Sequence, residues 1–146
     1  MAAVSITPAE VFPSTGASIR TGTLGVGVTV TAGVMVYLHT DGTLLKCIAT
    51  SALAAAAVGM TLNGGGPGQV VRYVTSDPAL KLGTTAALAA GETLYIDDAT
   101  AGGLVDAWTD LDAGGAVDFV TSVGIVKAAT DGVVNFQIVI SGVSKA

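Results

Sequence analysis

The sequence is poor in the residues that carry out catalysis. It contains one cysteine, Cys47, and one histidine, His39. A single cysteine excludes an intrachain disulfide framework and a cysteine-rich zinc site. A catalytic triad or a metal site would have to be built around His39 alone, and we predict instead a solvated histidine at the end of a strand. No Gly-x-Ser-x-Gly motif is present, so we expect no enzymatic activity and no cofactor.

Basic residues are also scarce, because Lys and Arg together number 6 against 11 Asp and Glu. The net charge is −5. The basic residues are scattered along the chain: Arg20, Lys46, Arg72, Lys81, Lys127 and Lys145. Binding to nucleic acid requires a positive stripe that replaces the counterions on phosphates. No such stripe is present, and we expect no nucleic-acid partner.

Hydrophobic residues make up 51% of the chain, yet no run of them has the pattern of a membrane helix. The uncharged run at 21–40 is long enough to span a bilayer. Within it Leu24, Val26, Val28 and Val30 alternate with Gly or Thr, which is a period of two rather than 3.6. We predict a soluble β-protein with no membrane partner, and a transmembrane helix is the alternative. The N-terminus lacks a basic and an apolar region, so we expect no signal peptide.

Valine, threonine, glycine and alanine dominate the sequence. Val and Thr favour pleated, half-buried strands, and Gly marks turns at short intervals. Near the C-terminus, apolar residues from Val134 to Ile140 alternate with the polar Asn135 and Gln137, as in a strand with one wetter face. Short strands separated by turn signals predict an all-β fold of the sandwich or small-barrel type. The predicted strands include 34–39, 69–75, 119–127 and 133–141, and the alanine run at 51–57 is either a marginal helix or a loop.

An internal repeat supports this interpretation. The matching segments are AGVMVYL at 32–38 with AGETLYI at 90–96, Val58-Gly59 with Val123-Gly124, and Gly68-Gln69-Val70 with Gly132-Val133-Val134. The offset between partners grows from 58 to about 65 residues, as loops of different length would produce. We predict two related β-barrel or β-sandwich units from an internal duplication, at 32–88 and 89–146, which could also form one compact domain. A chance match within a chain of few residue types is the alternative.

Residues 1–31 lie outside the repeat. Pro8 and Pro13 discourage regular helix there, so we predict an extended N-terminal arm. The arm carries five large apolar side chains that we predict as contacts to a partner or to another copy of the chain: Val4, Ile6, Val11, Phe12 and Ile19. A free arm would expose these side chains to water, which is a reason to expect a partner. In the alternative, the arm folds back onto its own domain.

Two further groups of residues could bind ions. The acidic residues that could together attract Ca²⁺ are Asp97, Asp98, Asp106, Asp110 and Asp112. Their spacing does not match an EF-hand loop, and we expect solvated loop carboxylates and no metal site, with cation binding as the alternative. The glycine cluster at 64–68 lacks the Gly-Lys-Ser/Thr of a phosphate loop, so we predict a hairpin connection.

At the level of whole segments the chain resembles a known family. The segments that carry the resemblance are SITPAEVFPSTGASIRTGT, TAGVMVYLHTDGTLLK, VGMTLNGGGPGQVVRYVTSD, LAAGETLYIDDATAGGLV and VTSVGIVKAATDGVVNFQIVISG. In their order and style they are similar to small virion proteins of tailed bacteriophages, the capsid decoration, cement or head-stabilising proteins. The resemblance extends from about Val4 to Val143 and includes no catalytic motif.

This resemblance implies a structural virion protein that binds the outside of a phage capsid and stabilises contacts between capsomers. Its expected partners are the major capsid protein and further copies of itself, and a trimer would fit. The expected location is the capsid exterior, after synthesis in the host cytoplasm. In the alternative function, the chain is a head-fibre or tail-associated module that contacts the host surface or glycans.

Overall fold

The computed structural model describes residues 4–83, 86, 88–107 and 118–145, and these residues form an all-β protein. The strands in these ranges are β1 (Ser18–Thr23), β2 (Met35–Leu38), β3 (Leu44–Lys46), β4 (Ala57–Thr61), β5 (Val70–Lys81), β6 (Thr93–Ile96), β7 (Leu104–Val105), β8 (Asp118–Ala128) and β9 (Val133–Lys145). The one α-helix there is α1 (Ala52–Ala55), and single 3-10 turns occur at Pro8–Glu10 and Thr130–Gly132. The prediction of an all-β fold is confirmed.

The run at 21–40 contains the end of β1 and all of β2. The alternating residues from Leu24 to Val30 lie between these two strands, in isolated bridges and a turn, so the period of two did not mark a strand there. The alternative of a membrane helix in this run is wrong as well. None of the helices in the described ranges has the length and apolar character needed to span a bilayer.

The strands form one curled antiparallel sheet with the shape of a half-barrel. Along the sheet the order is β3-β2-β4-β5-β9-β8-β6-β7, and β1 pairs with β5 outside this path. The first four strands of this order pair with one another in the same way as the last four do when the order is followed from its other end. β2 pairs with β3 and β4, and β4 pairs with β5. In the same way β6 pairs with β7 and β8, and β8 pairs with β9.

Strand β5 joins the two halves of the sheet. Val74 pairs with Ile19 in β1 and with Met60 in β4. Two residues further on, Ser76 still pairs with β1 on one side, but its partner on the other side is Gln137 in β9. Strands β4 and β9 therefore follow one another along one edge of β5, and β1 lies along the other. A register shift between residues 77 and 80 accompanies this change of partner, and such bulges bend a strand.

Equivalent glycines occupy equivalent places in the two halves. Gly59 lies beside a register shift between β4 and β2, and Gly124 lies beside a register shift between β8 and β6. A Cβ on Gly59 would lie 2.3 Å from the carbonyl oxygen of Val74, and a Cβ on Gly124 would lie 2.4 Å from that of Asn135. Only glycine permits this approach between backbones. The close approach lets both long strands, β5 and β9, pack tightly against their neighbours.

The main core takes side chains from both halves of the sheet, including Met35, Met60 and Val74 from the first half and Leu94 and Phe136 from the second. A second, smaller core lies in the first half. Its buried members are Leu24, Val30, Val36, Leu44, Val71 and Tyr73. Leu24 and Val30 precede β2, so the segment after β1 covers this part of the sheet. One connected core therefore extends across both predicted units.

Candidate functional site

The described part of the predicted arm, residues 4–31, packs on the domain, and the structure shows no free arm there. The backbone N–H of Val4 donates to the carbonyl oxygen of Leu104 over 2.8 Å. Val11 is buried, and Val4 and Ile6 pack against the main core while remaining partly exposed. The physical reason is that folding back removes these apolar side chains from water, whereas a free arm would leave them exposed to it. For residues 4–31 the structure thus shows the alternative, in which the segment folds back onto its own domain.

A glycine makes room for this packing. Gly33 precedes β2 with a φ of +89°, and a Cβ at this position would lie 2.6 Å from Cγ2 of Ile6. The positive φ favours glycine, and the missing side chain lets Ile6 lie directly over the turn. Val4, Ile6 and Val11 thus hold residues 4–11 against the domain, and their buried surfaces are not free for a partner in this arrangement.

Phe12 and Ile19, the other two predicted contact residues, remain at the surface. Phe12 is 58% exposed and Ile19 is 38% exposed. The backbone of Phe12 exchanges hydrogen bonds with Lys81, of 3.2 and 3.0 Å, at the end of β5. Ile19 lies in β1, which pairs with the beginning of β5. We call residues 12–23 the N-terminal edge, because they lie along the side of β5 opposite β4 and β9.

A buried carboxylate fixes the middle of the N-terminal edge. Asp77 is 1% exposed and lies in the bulged part of β5. It accepts hydrogen bonds from the backbone N–H of Ser14, over 2.7 Å, from the hydroxyl of Ser14, and from the backbone N–H of Ala79, over 3.0 Å. Three donors satisfy a charge that would otherwise be costly to bury. The edge is therefore held rigidly, although Ser14 and Asp77 lie 63 residues apart.

Strand β1 is exposed along most of its length and is open on one side. Five of its six residues are exposed, and Gly22 is the exception. A Cβ on Gly22 would lie 2.6 Å from Cδ1 of Leu44, so glycine allows β1 to lie close above the smaller core. Within the described ranges, no strand pairs with the side of β1 that faces away from β5. An open strand edge offers backbone donors and acceptors to a partner strand, and Arg20 is the one charged side chain in it.

His39 lies at the turn after β2, as predicted. Its Nδ1 is 3.3 Å from Oδ1 of Asp41, and both side chains are substantially exposed. The Asp41 carboxylate accepts hydrogen bonds from the hydroxyl and the backbone N–H of Thr43, over 2.6 and 2.9 Å. These bonds, with a smaller contribution from His39, lower the pKa of Asp41. The pair lies in a solvated turn whose hydrogen bonds stabilise the hairpin.

Cys47 is completely buried in the main core. Burial raises the pKa of the Cys47 thiol far above its ordinary value. Because the thiolate is the reactive form of cysteine, this side chain is suited to packing and not to nucleophilic attack.

The predicted acidic group falls in several places. The expectation of a solvated carboxylate is wrong for Asp97, which is 2% exposed. It is buried because it closes the turn after β6, where it accepts a hydrogen bond of 2.9 Å from the backbone N–H of Ala99. Asp98 and Asp106 are partly exposed, and Asp110 and Asp112 lie outside the described residues. In the part of the chain that the structure describes, no three His, Cys, Asp or Glu side chains are grouped so that they could hold a metal ion.

The glycine cluster at 64–68 precedes β5 and is pinned to its surroundings. The backbone N–H of Gly66 donates to Oε1 of Gln69 over 2.6 Å, and Gly65 exchanges backbone hydrogen bonds with Val30. These amides are occupied within the protein, and the segment connects two strands as predicted.

The N-terminal edge is thus the feature of the described surface that combines exposed apolar side chains with an open strand and a rigid attachment. The sequence predicted Phe12 and Ile19, but it contains no signal that links Ser14 to Asp77. No protein-family model matches the chain, and no curated protein is significantly similar to it. The N-terminal edge is therefore the candidate functional site.

Proposed function

We propose that this protein is a non-enzymatic structural protein of a phage virion, which binds the outside of the capsid and stabilises contacts between capsomers. The observation that carries the proposal is the N-terminal edge, where Phe12, Ile19 and the open side of β1 lie on one rim of the sheet. Its partner is the major capsid protein, and its location is the capsid exterior. The resemblance of the segments to capsid decoration proteins supports the same assignment.

The geometry of the edge suits repeated binding to a shell. Phe12 and Ile19 project from a backbone that β5 and Asp77 already hold in place, so binding loses little conformational entropy. The open side of β1 can accept a strand from the capsid protein. A capsid presents many copies of its protein, and several modest contacts can add up to firm attachment. Catalytic groups are not required for this role.

We also propose that the two halves of the sheet arose by internal duplication, with units at 32–88 and 89–146. Three features support it: the same pairing order in both halves, the equivalent Gly59 and Gly124, and matching backbone hydrogen bonds. The N–H of Gly33 donates to the carbonyl of Thr61, and the N–H of Gly91 donates to that of Val126. The units are fused through β5 and one core, which suits a protein that must stay rigid.

The alternative role, a head-fibre or tail-associated module that binds glycans, has less support. Sugar binding favours several exposed aromatic rings together, whereas Phe12 is the one largely exposed aromatic ring among the described residues, and Tyr37 and Tyr73 are buried. Self-association, with a trimer as one fitting form, remains part of the proposal.

Substitution at the edge tests the proposal. Burying the exposed parts of Phe12 (58%) and Ile19 (38%) should contribute about 2 kcal/mol, at roughly 1.5–3 kcal/mol for a fully buried side chain. The double variant Phe12→Ser/Ile19→Ser should therefore bind capsids that lack this protein about 30-fold more weakly. Co-sedimentation with such capsids measures the affinity, and thermal melting checks that the fold is retained.

Leu38→Ser is a matched control, because Leu38 is also an exposed apolar residue, at 51%, but lies in β2. We expect this control to bind as well as the unaltered protein. Equal binding by the folded double variant would contradict the proposed role of the edge. Failure of the unaltered protein to bind any such capsid would contradict the proposed function itself.

A further inference from the structure

The second half of the sheet has an uncovered face. A shallow depression of about 150 Å³ lies on β6, β8 and β9, and the residues around it are Thr93, Ser122, Gly124, Ile125, Asn135, Gln137 and Val139. We call these residues the outer face. Ile125 and Val139 are 53% and 54% exposed, and none of the seven residues is charged.

Comparison of the two halves identifies this face as unusual. In the first half, Met35 pairs with Met60, and Met60 pairs with Val74, which places these three side chains in one row across three strands. All three are completely buried in the main core. These three side chains face the main core, which also contains side chains from the second half of the sheet.

The corresponding row in the second half is Thr93, Ile125 and Asn135. Thr93 pairs with Ile125, and Ile125 pairs with Asn135, in the same order and on the matching strands. Here Ile125 and Asn135 are exposed and Thr93 is partly exposed. A row that is buried in one half is thus open in the other, although it keeps apolar side chains at Ile125 and, on the next strand, at Val139.

The chemistry of the outer face fits another copy of this chain. The protein carries a net charge of −5, so two copies repel each other wherever acidic residues face one another. The outer face lacks charge and avoids this repulsion. It also combines a hollow beside Gly124 with the exposed Ile125 and Val139. A surface with a hollow and projections of this size can be complementary to itself, as the contact between identical subunits requires.

We propose that the outer face is a self-association surface on which a second copy of this chain packs. Ile125 and Val139 provide the apolar contact, and Ser122, Asn135 and Gln137 provide uncharged polar groups around it. The role is independent of the N-terminal edge, which lies along the far side of β5. Assembly can therefore be measured without capsids, and its outcome is separate from that of the proposed capsid binding.

Sedimentation equilibrium over a concentration series tests the proposal. The unaltered protein should associate, and Ile125→Glu or Val139→Glu should weaken association at least about tenfold, because each interface then places like charges together. Leu38→Glu adds the same charge at a similarly exposed position in β2 and should associate as the unaltered protein does. Circular dichroism checks that each variant is folded.

Methyl NMR of the unaltered protein provides a second test that needs no substitution at the face. The signals of Ile125 and Val139 should shift or broaden as concentration rises, while those of Leu38 should not. A monomer at all concentrations, or undiminished association of the folded glutamate variants, would overturn the proposal. It would also be overturned if the glutamate variants kept their association but lost capsid binding, since the face would then belong to the shell contact.

Discussion

The buried carboxylate of Asp77 allows the attachment of the N-terminal edge to be tested by its effect on stability. Asp77→Ala removes the acceptor for three donors, the N–H and hydroxyl of Ser14 and the N–H of Ala79. Donors left unsatisfied in a buried place cost about 1–3 kcal/mol each, less where water can enter. Because Ser14 is only partly buried, we expect a total loss of about 3 kcal/mol in the free energy of unfolding.

Two further variants separate the contributions. Asp77→Asn keeps one acceptor oxygen and should lose only about 1–2 kcal/mol. Ser14→Ala removes the hydroxyl alone and should lose about 1 kcal/mol, and its effect should largely disappear in an Asp77→Ala background. Urea denaturation followed by circular dichroism provides the free energies. Ser76→Ala, at the exposed position next to Asp77 in β5, serves as the control and should leave the unfolding midpoint nearly unchanged.

Hydrogen exchange tells whether the loss is local to the edge. The amide of Phe12 donates to Lys81, and it should exchange faster in Asp77→Ala if the carboxylate holds this segment. A free energy of unfolding for Asp77→Ala within about 0.5 kcal/mol of the unaltered protein, which is the range of neutral surface changes, would refute the reasoning. Unchanged exchange at Phe12 would show that Asp77 does not anchor the edge.

Two other predictions concern the interior. Gly59→Ala and Gly124→Ala should each destabilise the protein by at least about 2 kcal/mol, because the new Cβ would lie 2.3 or 2.4 Å from a carbonyl oxygen and the strands must separate. Gly66→Ala is the control, because Gly66 has no positive φ and the nearest atom to its new Cβ would be 3.7 Å away; an equal loss there would contradict the steric reason. Cys47 should resist alkylation in the folded protein at pH 8 and react only after unfolding, because it is buried with a raised pKa; rapid labelling of the folded protein would contradict its placement in the core.

Local patterns in the sequence determined most of the strands and turns, with the exception of β1, which lies in the segment predicted as an extended arm. The predicted strand at 34–39 is observed as Met35–Leu38, and the one at 119–127 as Asp118–Ala128. Gly33, Gly42 and Gly91 lie in turns and have the positive φ values that favour glycine. Alternating side chains and left-handed turn residues are properties of a few neighbouring residues, so they can be read without knowledge of the whole fold.

Strand β5 is longer than its local sequence predicts. The sequence predicted a strand over 69–75, yet β5 extends to Lys81 through Asp77 and Pro78. Asp-Pro is ordinarily a turn signal. In the structure the bulge between residues 77 and 80 accommodates the proline, and partners distant in the chain, Ser14 and β9, stabilise the bent strand. The alanine run at 51–57 was similarly ambiguous, and Ser51 caps a single helical turn there.

The sequence by itself determined that this protein is made of strands, and it identified the apolar side chains near the N-terminus. Only the tertiary structure decided which of these side chains are free for a partner. Val11 is buried and Val4 and Ile6 pack on the core, while Phe12 and Ile19 remain on the rim of β5. The same holds for Ile125, whose counterpart Met60 is buried. Hydrophobicity is a property of each residue, but burial depends on which surfaces the folded chain brings together.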